Sequence, residues 1–230
     1  MRYQGGKTKI AKEILSVILP YKQNRMFIEP FAGAFNITCL VDGPKWANDA
    51  DKRLIDLFQA LLNGWTPPDV ISQELYYDVK QNPQNHHPAM QAFVGCGCSF
   101  GGKWWGGWLG IDKTGRNYAK EAKKALLKKT EKIKDAKLTS LCYTQLELPK
   151  SSECIIYCDP PYKNTQGFDN KKFDSVQFWN WCQNLKENGY DVFVSEYSCP
   201  LNWNELWQKS LKMSLSGSWN VQQRIERLFH

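Results

Sequence analysis

The chain has 230 residues, 42% of them hydrophobic and 23% charged, a balance that excludes a mainly disordered protein and suits one α/β core with a modest insert. Lys and Arg number 30 against 23 Asp and Glu, and the resulting formal charge of +7 biases the protein toward polyanionic partners. No run approaches the roughly 20 apolar residues of a membrane span, and the opening MRYQGGKTKI lacks a signal-peptide core, so a cytoplasmic protein with no membrane partner is expected.

In chain order, residues 8–19 (TKIAKEILSVIL) set Ile10, Ile14, Val17 and Ile18 at helical spacing, and Pro20 is expected to stop that helix. Residues 26–28 read as a short buried strand that turns at Glu29 and Pro30, with ITCLVDG helical beyond. KWANDADKRLIDLFQALLNG reads as strand, acidic turn and amphipathic helix, with Leu54, Leu57, Phe58, Leu61 and Leu62 on one side.

From Trp65 the pattern changes to proline-rich turns, a Gly/Trp-rich segment and a Lys-rich helix over residues 118–137. Alternation then resumes: SECIIYCDPPY as strand and loop, FDSVQFWNWCQNLKENG as helix, YDVFVSEYS as strand, LNWNELWQKSL as helix, and a terminal strand pair ending in RIERLFH. This predicts a mostly parallel sheet with helices on both faces, formed by residues 1–64 and 138–230, and a small, mainly helical insert over 65–137.

The eight cysteines lack paired zinc-ribbon spacing, and His86 and His87 sit beside prolines in a polar loop. Reduced structural thiols and no metal site are expected.

Ligands of open parallel sheets sit beyond the carboxyl ends of the strands, where three segments place unusual residues. In EPFAGAF (29–35), Gly33 lets backbone approach a ligand closely. In NDAD (48–51), Asp49 follows the second strand, where a carboxylate commonly accepts ribose hydroxyls, although capping of the next helix would also explain an acid there. In DPPY (159–162), Pro160 and Pro161 stiffen the loop and remove two backbone donors. Asp159 and the Pro160 carbonyl then form acceptors suited to an exocyclic amine on a base stacked against Tyr162. By itself this pocket suits cytosine N4 as well as adenine N6.

Taken together and in this order, RYQGGK, EPFAG, NDAD and DPPY resemble the Dam-like class of adenine-specific DNA methyltransferases, along nearly the whole chain. Within that class CSFGGKWWGGW (98–108) is similar to a segment of phage and prophage members. The resemblance implies a Rossmann-like methyltransferase sheet that binds S-adenosylmethionine and releases S-adenosylhomocysteine, methylates adenine N6, and works in the cytoplasm of a bacterium or phage-infected host. It carries cofactor contacts onto Tyr3, Lys7, Glu29, Phe31, Gly33, Asp49 and Asp159, and the catalytic loop onto Asp159, Pro160, Pro161 and Tyr162. Phe35 departs from the family pattern, which commonly has a second glycine there.

Adenine N6 is enclosed in the duplex, so the base must be flipped out at a cost of a few kcal/mol. Lys103, Trp104, Trp105 and Trp108 are candidates to hold the opened double-stranded DNA, and Arg116 and Asn117 to contact bases or phosphate, with the insert carrying sequence recognition. Lysines 120, 123, 124, 128, 129, 132, 134 and 137 form either a phosphate-facing surface or an ordinary solvated face. A monomer is expected.

Overall fold

The protein, represented by a computed structural model, is described over residues 1–162, 173–213 and 222–230. Helix α1 (Ala11–Lys22) leads into β1 (Met26–Glu29), β2 (Lys45–Asn48) and α2 (Lys52–Leu62). Helices α3 (Gln73–Gln81), α4 (Pro88–Ala92) and α5 (Tyr118–Ile133) follow, then β3 (Lys137–Thr139), β4 (Cys154–Cys158), α6 (Ser175–Glu187), β5 (Asp191–Glu196), β6 (Glu205–Met213) and β7 (Gln222–Phe229).

The seven strands lie in the order β3-β2-β1-β4-β5-β7-β6. The first five positions are mutually parallel, and β7 pairs antiparallel with both β5 and β6. Strands covered on both faces need apolar side chains in both directions, which is why CIIYC is buried at every position. Alternation sorts those side chains between two layers. Ile28, Ile156, Cys158, Val192 and Val194 meet α6 through Phe178 and Leu185. Phe27, Ile155, Tyr157 and Phe193 meet Ile10, at the N-cap of α1, and Ile14, Leu15 and Ile18 within it on the opposite face.

A third cluster joins the apolar side of α2 to the helices that follow. Leu54, Leu57, Phe58 and Leu61 pack in one core with Tyr76, Val79, Phe93, Leu126 and Ile133. The segment after residue 64 therefore shares its core with α2, and Lys137 is already the first residue of the edge strand β3.

Four local expectations are corrected. Helix α1 continues past Pro20 to Lys22: a proline in the last turn forfeits one backbone bond, and Tyr21 holds that turn down by packing on Phe193 and His230. ITCLVDG is helical only as a single 3-10 turn over Thr38–Leu40. The Lys-rich helix ends at Ile133, because Lys137–Thr139 is drawn into the sheet beside β2. LNWNELWQKSL forms no helix; its second half is strand β6, paired along β7. Trp203, Trp207 and Leu211 lie four apart, a spacing that fits a helical turn and a strand's period of two equally well. Within β6 exposure alternates residue by residue from Trp207 to Leu211, as a half-covered strand requires. Of the expected terminal strand pair the second is β7; residues 214–221 lie outside the described residues.

Candidate active site

The parallel strands β1, β2, β4 and β5 point the same way, so the segments that follow them gather along one edge of the sheet. At the end of β1, Glu29 is only 2% exposed and accepts the backbone N–H of Thr38 at 2.9 Å and the Thr38 hydroxyl. Both contacts fasten the far end of the loop over residues 30–38. Burial pushes the Glu29 carboxyl up to about 8, against the pull of the Thr38 donors.

Within that loop the Ala32 N–H donates to the Asn48 carbonyl at 2.8 Å, and the Gly33 N–H to Asp49 Oδ2 at 2.7 Å. Gly33 has φ +49°, and a Cβ there would lie 3.1 Å from the Tyr3 ring, so the absent side chain makes room for that aromatic. Phe35 also takes a left-handed φ, +58°, at the position where the family pattern has glycine. Its ring is fully buried, with its centroid 4.2 Å from that of Phe58. Core packing thus accommodates the departure seen in the sequence. Phe31, half-buried, packs tilted against Tyr143 and edge-to-face with Phe178.

After β2, Asn48 is enclosed and satisfied: its amide donates to the Pro30 and Leu141 carbonyls, and its oxygen accepts from Leu141 N–H and Thr139. Asp49 Oδ1 accepts the Asp51 N–H at 2.8 Å. Burial raises the Asp49 carboxyl to about 6, opposed by the N–H groups of Asp51 and Gly33. Asp51 caps α2 and is gripped by Arg53 through two contacts of 2.8 and 3.1 Å. The sequence left ribose binding and capping as competing readings of these acids; here capping belongs to Asp51, and Asp49 faces the glycine turn.

The loop after β4 meets the N-terminal segment. Lys7 Nζ lies 2.7 Å from Asp159 Oδ1 and 4.5 Å from the centre of the Tyr162 ring. Burial lifts the Asp159 carboxyl above the usual carboxylate range, with Lys7 pulling the other way. Burial also opposes the Lys7 charge, but Asp159 and Glu226 outweigh it and hold the ammonium above its ordinary value.

Glu226 and Tyr197 complete this corner, and neither was singled out in the sequence. The Tyr162 hydroxyl donates to Glu226 Oε2 at 2.6 Å. Tyr197, just past β5, stands edge-on to Tyr162 with centroids 4.5 Å apart, and Arg224 donates to its hydroxyl at 3.1 Å. An aromatic directly after a parallel strand was a usable signal for Tyr197, much as the aromatic closing the DPPY loop after β4 was for Tyr162. Glu226 had no comparable signal, because it arrives through the antiparallel β7.

The residues expected at DNA are spread over the insert. Lys103 is exposed. Trp104 lies against Gly95, where a Cβ would come within 2.3 Å of its ring, and Arg53 covers it at 3.8 Å. Trp105 meets Tyr76 edge-on at 5.2 Å, and the Trp108 indole N–H donates to the Ile71 carbonyl at 3.0 Å. Arg116 forms a two-point pair with the Glu121 carboxylate, both contacts 2.7 Å. The Asn117 side chain caps α5 by accepting the Lys120 N–H, and it donates to the Asp69 carbonyl.

A doubly wound sheet here collects a glycine turn, a carboxylate and a proline-containing loop at the carboxyl ends of its parallel strands, the edge at which open α/β sheets bind ligands. The chain belongs to the family described as D12 class N6 adenine-specific DNA methyltransferase, whose model matches residues 3–94 and 110–203. It is accordingly an adenine-specific DNA methyltransferase with an α/β methyltransferase fold. The match takes in EPFAG, NDAD, DPPY and RYQGGK from Tyr3 onward; it leaves out residues 95–109, where the CSFGGKWWGGW segment lies, and the stretch from 204 onward.

Among solved structures the chain is similar to the rRNA methyltransferase aviRa from Streptomyces viridochromogenes, at 11% identity and a TM-score of 0.42 over 96% of this chain and 83% of that one. It is also similar to yhhF from Escherichia coli, a methyltransferase candidate, at 11% identity and a TM-score of 0.40 over 96% and 85%. No curated protein matches it. Among the described residues no helix is long and apolar enough to cross a membrane, and no group of three His, Cys, Asp or Glu is arranged to hold a metal ion.

Proposed function

We propose that the protein, acting as a monomer, transfers a methyl group to N6 of an adenine flipped out of duplex DNA. The observation that carries this reading is the largely shielded Asp159 carboxylate, set beside Tyr162 and joined to Lys7, at the same sheet edge as the Gly33–Asp49 turn.

The residues present fit S-adenosylmethionine. Each Asp49 oxygen takes one backbone N–H and keeps acceptor capacity for a ribose hydroxyl. Gly33 leaves backbone open beside Tyr3, and Phe31 offers an apolar ring edge. We assign the cofactor contacts to Tyr3, Lys7, Phe31, Gly33, Asp49 and Asp159, with Glu29 fixing the loop that presents them. When bound, S-adenosylmethionine supplies an electrophilic methyl group on a sulfonium.

The lone pair of the adenine N6 amine is delocalised into the ring and is a poor nucleophile until its hydrogens are held in place. Asp159 and the Pro160 carbonyl accept those hydrogens, free the lone pair and stabilise the positive charge that develops on nitrogen. Pro161 keeps the loop stiff, and Tyr162 supports the base. The raised affinity of Asp159 for a proton also suits it to take the one the amine gives up.

Duplex binding is assigned to the insert over residues 65–137. Lys103 and Arg116 are exposed and offer phosphate or base contacts. Trp104, Trp105 and Asn117 support the same surface from positions of packing and capping.

The test is transfer of a labelled methyl group from S-adenosylmethionine to plasmid DNA, with modified bases mapped at single-base resolution. Asp159→Ala should lower kcat by at least about 100-fold, and Tyr162→Ala should weaken use of DNA. Near-normal methylation by both variants, or label on cytosine, would sink the proposal.

A further inference from the structure

Glu226 lies beyond the part of the chain that the family model matches, on the antiparallel strand β7, and yet it reaches the centre of the site. Its Oε2 accepts the Tyr162 hydroxyl at 2.6 Å and stands 3.8 Å from Lys7 Nζ. Lys7 therefore has two carboxylates within reach, Asp159 at 2.7 Å and Glu226 at 3.8 Å. All three side chains are largely shielded from water, 7% exposed for Lys7, 17% for Asp159 and 12% for Glu226.

Such an arrangement poses a problem for the reaction and contains its solution. One oxygen of the Asp159 carboxylate, the group that is to receive an amine hydrogen, is engaged by an ammonium ion, and the same ammonium lies over one face of the Tyr162 ring. Releasing a buried ammonium with no partner is costly. A movement of about 1 Å toward Glu226 would bring Lys7 from 3.8 Å into charge-assisted hydrogen-bond range, without a return to water.

On the reading of the site given above, we propose that Glu226 is a positioning residue that takes over the Lys7 charge as the target amine engages Asp159, while its contact with Tyr162 ties that exchange to the base platform. The groups facing Asp159 among the described residues are Lys7 from the N-terminal segment, Glu226 from β7, Tyr162 in its own loop, Tyr157 and Cys158 of β4, and Glu29 of β1.

The experiment is the pH dependence of methyl transfer to plasmid DNA by the full chain and by Glu226→Gln, which keeps an oxygen for the Tyr162 hydroxyl and removes the charge. Plateau kcat should fall about tenfold. Because the Glu226 charge raises the proton affinity of Asp159, its removal should at the same time move the acidic limb to lower pH. Glu226→Asp, one methylene short, should shift the limb in the same direction and by less. An unchanged plateau in Glu226→Gln, or a lowered plateau over an unmoved limb, would overturn the assignment; should the Gln variant fail to fold, an unmoved limb in Glu226→Asp would do so. If the wild-type chain methylates no adenine at all, it is the functional reading that fails, whereas an active wild type with an indifferent Glu226 removes this inference alone.

Discussion

Glu29 shows how far a single side chain in this site is committed before any ligand arrives. It sits at the end of β1 and secures the glycine-containing loop through the two donors of Thr38. Burial carries its carboxyl up to about 8 from an ordinary 4.5. The unfolded chain therefore loses this proton at lower pH than the folded one, and stability falls as pH rises through the interval between those values. The slope from this group approaches about 1.4 kcal/mol per pH unit. Glu29→Gln removes it while keeping an acceptor for Thr38. Urea unfolding at about pH 5 and pH 8 should show the variant gaining on the wild type at the higher pH; a constant difference between the two pH values would count against this account. The residue was legible as a member of the EPFAG turn, whereas its enclosure was not, because the donors that surround it come from a 3-10 turn nine residues on, in a stretch whose pattern read as ordinary helix.

Among the elements, α5 carries the largest difference between what the sequence offered and what the fold uses. The eight lysines of the helix expected over residues 118–137 read as one group, either facing phosphate or solvated, and six of them fall within α5. In the structure Lys123 pairs with Asp69, Lys129 turns inward to the Ala34 carbonyl and to Asn36 Oδ1 at 2.6 Å, and Lys137 leaves the helix to lie 3.6 Å over the Trp46 ring. Sequence periodicity places a lysine on a face, but it cannot say which neighbouring element supplies a carbonyl or a ring. Asn117 makes the same point. As a base-contact candidate it is ordinary; as the N-cap of α5, with a second bond to Asp69, it holds the helix start against the insert. Asn117→Ala should cost about 1 kcal/mol of stability and Asn117→Asp much less, since Asp caps equally well. Denaturant midpoints measure this directly, and equal losses for the two variants would show that the cap is not what Asn117 contributes.

At the scale of the whole molecule, the sheet order explains what could be read from the sequence and what could not. Residues 29–35, 49 and 159–162 could be grouped because parallel strands bring the segments that follow them to one edge, whatever lies between them in the chain, whereas Tyr3 and Lys7 follow no strand and came from the family resemblance alone. Glu226 could not be grouped with them, since its place depends on β7 entering between β5 and β6, a pairing that no local pattern encodes. The same global view narrows the charge available to a phosphate backbone. With Lys123, Lys129 and Lys137 engaged elsewhere and Lys134 exposed at the C-cap, Lys120, Lys124, Lys128 and Lys132 remain exposed within the helix and recur every fourth residue, a single stripe along one side of α5. If that stripe follows a phosphate backbone, each lysine in contact contributes about 0.9 to the slope of log K against log salt. Lys124→Ala with Lys128→Ala should then lower the slope by nearly 2 and weaken specific and random duplexes alike, while leaving kcat at saturating DNA unaffected. Binding isotherms across a range of salt concentrations decide the matter: an unaltered slope would return α5 to the role of a solvated face and leave the loop around Lys103 and Arg116 to meet the backbone.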